Sequence, residues 1–335
     1  MSPAPTPHRN ALPHIAGVEL GGTKVFVLRA DGRDIVDRVM IPTTNPAETL
    51  SAAAALLQRW HAEAPFAALG IGSFGPLRLD RAAPDFGHML PTPKPGWTGA
   101  DIYGALTANL PCPAAIDTDV NGAALAEARW GAGAEGDIPS DCLCYITIGT
   151  GLGAGFALHG RPLHGAMHPE VGHILTRRAP DDSFAGACPF HGDCIEGLVA
   201  GPALAQRFGV PGDRITSDDP RWDDVAHDIA QMIGTILLTT AARQVLIGGG
   251  VGMGRASLLD RVRAQLVAQL AGYLPFVTTQ TVGSIVRPPV LGDQAGPLGA
   301  VALALDALEN AHLSQRGRRH ADARRLNRIS RSACP

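Results

Sequence analysis

Apolar positions come in short runs broken by glycine- and proline-rich stretches. Ile15–Leu20 is one such run, Gly21-Gly22-Thr23-Lys24 turns the chain, and Val25-Phe26-Val27-Leu28 returns it. That pattern predicts strand, tight glycine turn, strand. Asn45-Pro46-Ala47-Glu48 then opens a helix running to about Trp60, with Asn as N-cap and Pro at the first helical position. Leu69–Ser73 reads as a strand ending in a loop at Phe74-Gly75-Pro76, Ala114–Ile116 as a short strand, and Gly122–Trp130 as a helix. At Cys142 the opening pattern recurs: Leu143–Ile148 is a strand, Gly149-Thr150-Gly151-Leu152-Gly153-Ala154-Gly155 turns, and Phe156-Ala157-Leu158 returns. Two copies about 130 residues apart predict two related domains on one plan. A long helix at Asp223–Ala242, a strand at Gln244–Ile247, Gly248-Gly249-Gly250, a helix around Leu258–Tyr273 and a last helix at Gly296–Leu308 follow. Helices alternate with strands, so the class is α/β.

Composition narrows the function. The chain has 335 residues, 45% hydrophobic and 18% charged, enough for about two domains with a sizeable core. Of 28 basic and 31 acidic side chains, seven Arg and one Asp fall between Arg316 and Arg331, which leaves a body of net charge −9. An acidic body argues against nucleic-acid binding, and the basic tail reads as a solvated, disordered terminus. No apolar run reaches the ~18 residues of a membrane span, and Met1–His14 carries no secretory core, so a soluble cytoplasmic protein is expected. The six cysteines then do not imply a disulfide framework.

The glycine clusters carry the candidate chemistry. Gly70-Ile71-Gly72-Ser73-Phe74-Gly75 matches G-x-G-x-x-G, but Pro76 and an extended stretch follow where a dinucleotide site needs a helix. No P-loop sequence occurs. Two glycine hairpins are a different device: backbone N–H groups free of side chains form concave anion sites. Glu19, two residues before Gly21, is placed to hold a metal ion. Phosphoryl transfer to a hydroxyl also needs a base, and Asp119, between a strand end and a helix start, is the candidate. Spacing alone leaves Asp119, or Asp117, equally readable as a helix N-cap.

His173, Cys188, His191 and Cys194 are spaced H-x14-C-x2-H-x2-C, a donor set suited to a closed tetrahedral zinc site. Free thiols beside surface histidines, or a Cys188–Cys194 disulfide, are the alternatives. His159, His164 and His168 crowd the same segment and read as bystanders, His168 being the one substitute ligand. Cys142 and Cys144 share one strand face and read as buried thiols.

Val18-Glu19-Leu20-Gly21-Gly22-Thr23-Lys24 resembles the first phosphate motif of the ROK sugar kinases, and Gly149–Gly155 their second. The resemblance continues through Thr118-Asp119-Val120-Asn121, Glu170-Val171-Gly172-His173, the Cys/His cluster, Gly248-Gly249-Gly250 and Leu291-Gly292-Asp293. Phe74-Gly75-Pro76 and Thr92-Pro93-Lys94-Pro95-Gly96-Trp97 resemble the bacterial fructokinase branch. Thr118, where most glucokinase-like members have Asn, fits that branch.

The resemblance implies an actin-like, ribonuclease-H-like fold. A small domain would span residues 14–118 plus a C-terminal helix at about 293–308, and a larger domain 119–292. Residues 1–13 and 310–335 would be disordered ends. It implies ATP-dependent phosphorylation of a hexose, fructose above all, with Asp119 as base. Gly75, Asn121, Glu170, His173 and Glu196 would sit at the sugar, and Gly21, Gly22, Thr23, Lys24, Gly149, Thr150, Gly151, Gly249 and Gly250 at the nucleotide. Mg2+ would lie near Glu19, and a structural zinc on the four ligands, one of which, His191, is Cys in other members. A homodimer is implied. A sugar-responsive repressor of the same family would need a DNA-reading segment ahead of the first strand, for which about 14 residues are too few.

Overall fold

The computed structural model describes residues 12–135, 140–254 and 256–332, and the side chains among them up to 316 apart from 213 and 256. The expected disorder of the N-terminus thus lies, for residues 1–11, outside the described residues.

The first half of the chain runs β1 (His14–Leu20), β2 (Lys24–Asp31), β3 (Asp34–Pro42), α1 (Pro46–Glu63), β4 (Leu69–Ser73), α2 (Ile102–Thr107), β5 (Ala114–Thr118) and α3 (Asp119–Trp130). The second half runs β6 (Cys142–Ile148), β7 (Leu152–Leu158), β8 (Arg161–Pro162), α4 (Ile195–Val199), α5 (Gly201–Phe208) and α6 (Trp222–Thr240). It continues with β9 (Gln244–Gly248), α7 (Gly249–Met253), α8 (Ala256–Leu270), α9 (Val282–Ile285), β10 (Val286–Arg287) and α10 (Ala295–Ser332).

The predicted duplication is present in the topology. One sheet has the order β3-β2-β1-β4-β5 and the other β8-β7-β6-β9-β10. In each, the first three strands form an antiparallel meander and the last two add in parallel.

Local chemistry sets the helix starts. Asn45 caps α1 by accepting from Glu48 N–H at 3.0 Å, as its sequence predicts. α3 departs from expectation: Thr118, not Asp117 or Asp119, is its N-cap, with Oγ1 accepting from Asn121 N–H at 3.2 Å. Both aspartates are therefore free of the capping role. α10 also runs further than Leu308, reaching Ser332 through the segment expected to be a disordered tail. Beyond Gly296 that segment holds the breakers Pro297 and Gly299 near its start and a single Gly317 later, among many Ala, Leu and Arg, which favour helix.

α3 and α10 lie between the sheets. Val120, Ala123 and Ala124 of α3 pack on Leu143, Tyr145 and Ala157 of the second sheet. Val301, Ala304 and Ala307 of α10 pack on Ile15, Leu28 and Ala30 of the first. The two helices cross where Gly122 meets Gly299, and a Cβ on Gly299 would overlap the Gly122 carbonyl carbon. The outer face of the first sheet is covered by α1 and α2, and the second sheet carries the larger core with α4–α6 and α8. No helix among the described residues is long and apolar enough to cross a membrane.

Candidate active site

Strand register builds one wall of the cleft. Leu20 pairs with Ser73 and Ser73 with Thr118. The residues that follow, Gly21, Phe74 and Asp119, therefore stand in a row at three adjacent strand ends. Phe74 N–H donates to Leu20 O at 2.8 Å, tying the Phe74-Gly75 loop to the first glycine hairpin. Gly21 N–H donates to Lys24 O at 3.0 Å to close that turn, and Thr43 Oγ1 donates to Gly21 O at 2.8 Å. Strands lie about 4.8 Å apart, so roughly 10 Å separates the Gly21 turn from Asp119. That span accommodates one phosphoryl group and the hydroxyl that takes it.

The second sheet repeats the arrangement. Thr147 pairs with Gly248, which sets Ile148 beside Gly249 and brings the Gly149 turn to the same sheet end as Gly249-Gly250. Gly149 N–H donates to Gly151 O at 2.9 Å, and Gly201 N–H, at the start of α5, donates to Gly149 O at 2.7 Å. Gly249 has φ +80° and lies against the Ile148 carbonyl, a position closed to any side chain, while Gly250 faces open space.

Carboxylates line the space between. Burial pushes Asp119 from its ordinary 3.8 to about 6, against the pull of the Val120 N–H that donates to its Oδ1 at 2.8 Å. Burial, then the Asp119 charge, raises Glu19 to about 7. Glu19 Oε2 is buried without a hydrogen-bond partner, and the carboxylate lies against Gly296 at the start of α10. An orphaned buried carboxylate oxygen suits a cation. Glu170 is raised to about 7 by burial, then by Glu196 and Asp119, which brings all three acids into one neighbourhood. Glu196 Oε2 accepts from Leu152 N–H at 2.9 Å, beneath the second glycine turn. Tyr145, pushed above its usual range by burial and by Asp119, Glu127 and Glu19, sits behind them.

Two histidines read as bystanders are built into this site. His168 is buried; its Nε2 accepts from Leu77 N–H at 3.0 Å, so its proton resides on Nδ1, 3.2 Å from Glu170 Oε1. It thus links the loop after Gly75 to Glu170, and it is not a member of the metal cluster. A Cβ added at Gly75 would stand in van der Waals contact with His168 and Glu170. His164 Nε2 lies 2.8 Å from Asp117 Oδ2, which raises the His164 pKa. Asn121, expected at the sugar, is buried with its amide committed inside the protein. Its Nδ2 donates to Asp117 Oδ1 at 2.8 Å and its Oδ1 accepts from Phe156 N–H at 3.1 Å. It joins α3 to β7. Lys24 lays its ammonium over the Phe26 ring, 5.0 Å from the centroid.

The Cys/His residues converge. Ligand atoms of His173, Cys188, His191 and Cys194 all lie within 4.8 Å of one another. His173 Nδ1 is 3.8 Å from Cys188 Sγ and 3.5 Å from Cys194 Sγ, and His191 Nδ1 is 3.8 Å from Cys188 Sγ. Donors about 2.0–2.3 Å from a tetrahedral zinc stand roughly 3.3–3.8 Å apart, so the set fits that ion. Cys188 and Cys194 are both free thiols, which removes the disulfide alternative.

Twin five-stranded sheets, paired glycine hairpins facing one cleft, and a carboxylate between them define the actin-like ATPase fold in its sugar-phosphorylating form. The chain belongs to the ROK family, whose model matches residues 15–307. It is 39% identical to a fructokinase of Zymomonas mobilis over 87% of this chain and 96% of that one. It is 37% identical to a fructokinase of Pediococcus pentosaceus over 89% of this chain and 99% of that one. Its fold superposes on a ROK hexokinase of Thermus thermophilus with a TM-score of 0.71 at 26% identity, covering 89% of this chain and 99% of that one.

Proposed function

We propose that this chain is an ATP-dependent fructokinase that transfers the γ-phosphoryl group to a hydroxyl of D-fructose, with Asp119 as general base. The row of strand ends that sets the Gly21 turn, Phe74 and Asp119 side by side carries this reading. Asp119, at about 6, is ionised at neutral pH yet basic enough to take the hydroxyl proton as the sugar oxygen attacks. The first glycine hairpin receives the terminal phosphates and the Gly149–Gly151 and Gly249–Gly250 turns the remainder of the nucleotide. Glu19, with its orphaned oxygen, holds the magnesium ion that neutralises phosphate charge, directly or through water.

Glu170, its partner His168, and Glu196 form the sugar wall, since carboxylates accept two hydrogen bonds each from a polyol. His173 shares their loop. A zinc ion on His173, Cys188, His191 and Cys194 has no open position and serves to fix that loop. The strength of the similarity to fructokinases favours fructose over other hexoses.

The test is a coupled ADP-release assay with Mg-ATP and, in turn, fructose, mannose, glucose and N-acetylated hexosamines. Fructose is expected to give the highest kcat/KM. A higher value with glucose or mannose replaces the fructokinase reading with a broad hexokinase, and no turnover with any sugar overturns the kinase reading itself.

A further inference from the structure

The chain contains two lysines against 26 arginines, and both lysines stand at the first glycine hairpin. Lys24 is held over Phe26, whose ring also carries the Arg38 guanidinium at 4.7 Å. Phe26 pairs with Glu19 across the strands, and side chains alternate along a strand, so Lys24, Phe26 and Glu19 share one face of the sheet. Lys94 approaches the same turn from a separate loop, and its Nζ donates to Gly22 O at 2.6 Å. Among the described residues no carboxylate pairs with that ammonium.

The loop that presents Lys94 is rigid. Trp97 is fully buried; its Nε1 donates to Thr44 O at 2.9 Å and its ring meets Phe74 edge-on at 5.1 Å. Trp97 N–H donates to Lys94 O at 3.2 Å, and Pro93 and Pro95 flank the lysine and restrict its backbone. Phe74 is in turn bonded to Leu20, immediately before the hairpin. An ammonium has three donors, and one carbonyl uses one of them. A cation aimed at a glycine turn, with donors to spare and no acid beside it, matches a phosphate oxygen seated on the N–H groups of that turn. Lysine is the compact point charge for such an apical contact.

We propose that Lys94, and not Lys24, is the side chain that binds the transferred phosphoryl group. The assignment rests on the kinase reading above. Lys94 Nζ hydrogen-bonds a γ-phosphate oxygen, and the contact tightens as the bond from the bridging oxygen to Pγ breaks and the bond from the sugar oxygen to Pγ forms. The hydroxyl proton passes to Asp119, ADP leaves with the bridging oxygen, and Lys94 makes no covalent bond.

The experiment compares the wild-type protein with Lys94→Met, Lys94→Arg and Lys24→Met. Each is titrated calorimetrically with Mg2+ plus ADP, and with Mg2+ plus an ATP analogue whose nitrogen-bridged β–γ linkage does not cleave. Lys94→Met is expected to weaken the analogue about 10–100-fold, the worth of a hydrogen bond to a charged group, and ADP less than about 3-fold. Lys94→Arg recovers part of the loss, and Lys24→Met does not discriminate between the two nucleotides. In parallel, an amine-reactive reagent is applied to the native wild-type chain, where the lysines and the terminal amine are the reactive groups. The analogue should protect Lys94 from labelling and ADP should not. Equal weakening of both nucleotides reduces Lys94 to a prop for the hairpin, and protection of Lys24 alone reverses the assignment; either overturns the proposal. A wild-type chain that binds neither nucleotide overturns the kinase reading together with it.

Discussion

Replacing Asp119 by Asn separates the chemistry of this site from its stability. The amide keeps an oxygen for the Val120 N–H that Asp119 Oδ1 now accepts at 2.8 Å, so the start of α3 is preserved. What is lost is a proton acceptor, and turnover is expected to fall about 10²–10⁴-fold, the usual worth of a positioned base. The wild-type kcat should decline about tenfold for each pH step below about 6, where Asp119 protonates, and stay level above it; the Asn variant should lack that limb. Stability moves the other way. The folded-state pKa is raised, so the native form binds more protons than the unfolded chain between the ordinary 3.8 and about 6. Stability therefore drops as pH rises through that window, and the deficit is complete above it. At ~1.4 kcal/mol per tenfold, the buried charge costs on the order of 2–3 kcal/mol, less where cleft water screens it. The Asn variant should consequently melt several degrees higher than wild type at pH 8 and show no such gain near pH 3.5. Steady-state kinetics across pH and calorimetric melting at both pH values read the two effects. Retention of more than a tenth of wild-type turnover refutes the base, and a lower melting point at pH 8 refutes the buried charge.

The same variant should bring Glu19 down from about 7, because the Asp119 charge is the second cause of its rise; carboxyl-carbon NMR titration of both proteins measures it, and an unchanged Glu19 value contradicts the proximity. His168→Leu removes the acceptor for Leu77 N–H and the donor to Glu170, so the sugar KM should rise about tenfold with the nucleotide KM unmoved; a parallel rise in both would place His168 outside the sugar wall. Elemental analysis should find about one zinc per chain, and Cys188→Ser should lower both zinc content and thermal stability; under about half an equivalent with activity intact removes the metal from the site. Gly299→Ala forces a methyl into the Gly122 backbone where α3 and α10 cross, and should cost about 1–3 kcal/mol, seen as a lowered unfolding midpoint; an unchanged midpoint would mean that the two helices part readily.

What could be read from the sequence was local. The glycine hairpins and the Asn45 cap declare themselves within a few residues, and the donor spacing of the Cys/His cluster within about twenty. Strands of two residues, β8 and β10, leave no periodic signal and exist because a neighbouring strand recruits them. The Asp117 side chain is turned to Thr118 N–H, Asn121 Nδ2 and His164, and this frees the start of α3 for Thr118, a choice invisible to spacing. His168 acquires its role from an amide 91 positions away, and Lys94 from a carbonyl 72 positions away. Such contacts are properties of the packed chain, and no window of sequence contains them.

The two halves share a topology but not a charge pattern, and on the proposed function the difference sets the direction of the reaction. The first hairpin is bracketed by Glu19, Lys24 and Lys94, and its sheet ends at Asp119 two strands away. The second hairpin, Gly149–Gly151, has no charged residue in its turn. One of its carbonyls accepts from Gly201, and the nearby Glu196 is tied to Leu152 N–H. Backbone amides stabilise phosphate charge through their dipoles, but they bring no net positive charge to a phosphoryl group as its bond breaks. Cations can, and among the described residues it is the first hairpin that has two lysines and the unpartnered Glu19 carboxylate near Asp119. On the reading proposed above, the reactive end of a nucleotide is therefore expected at Gly21–Lys24. On the same reading the acceptor hydroxyl approaches from the Gly75 and Glu170 side, where His168 joins Leu77 to Glu170.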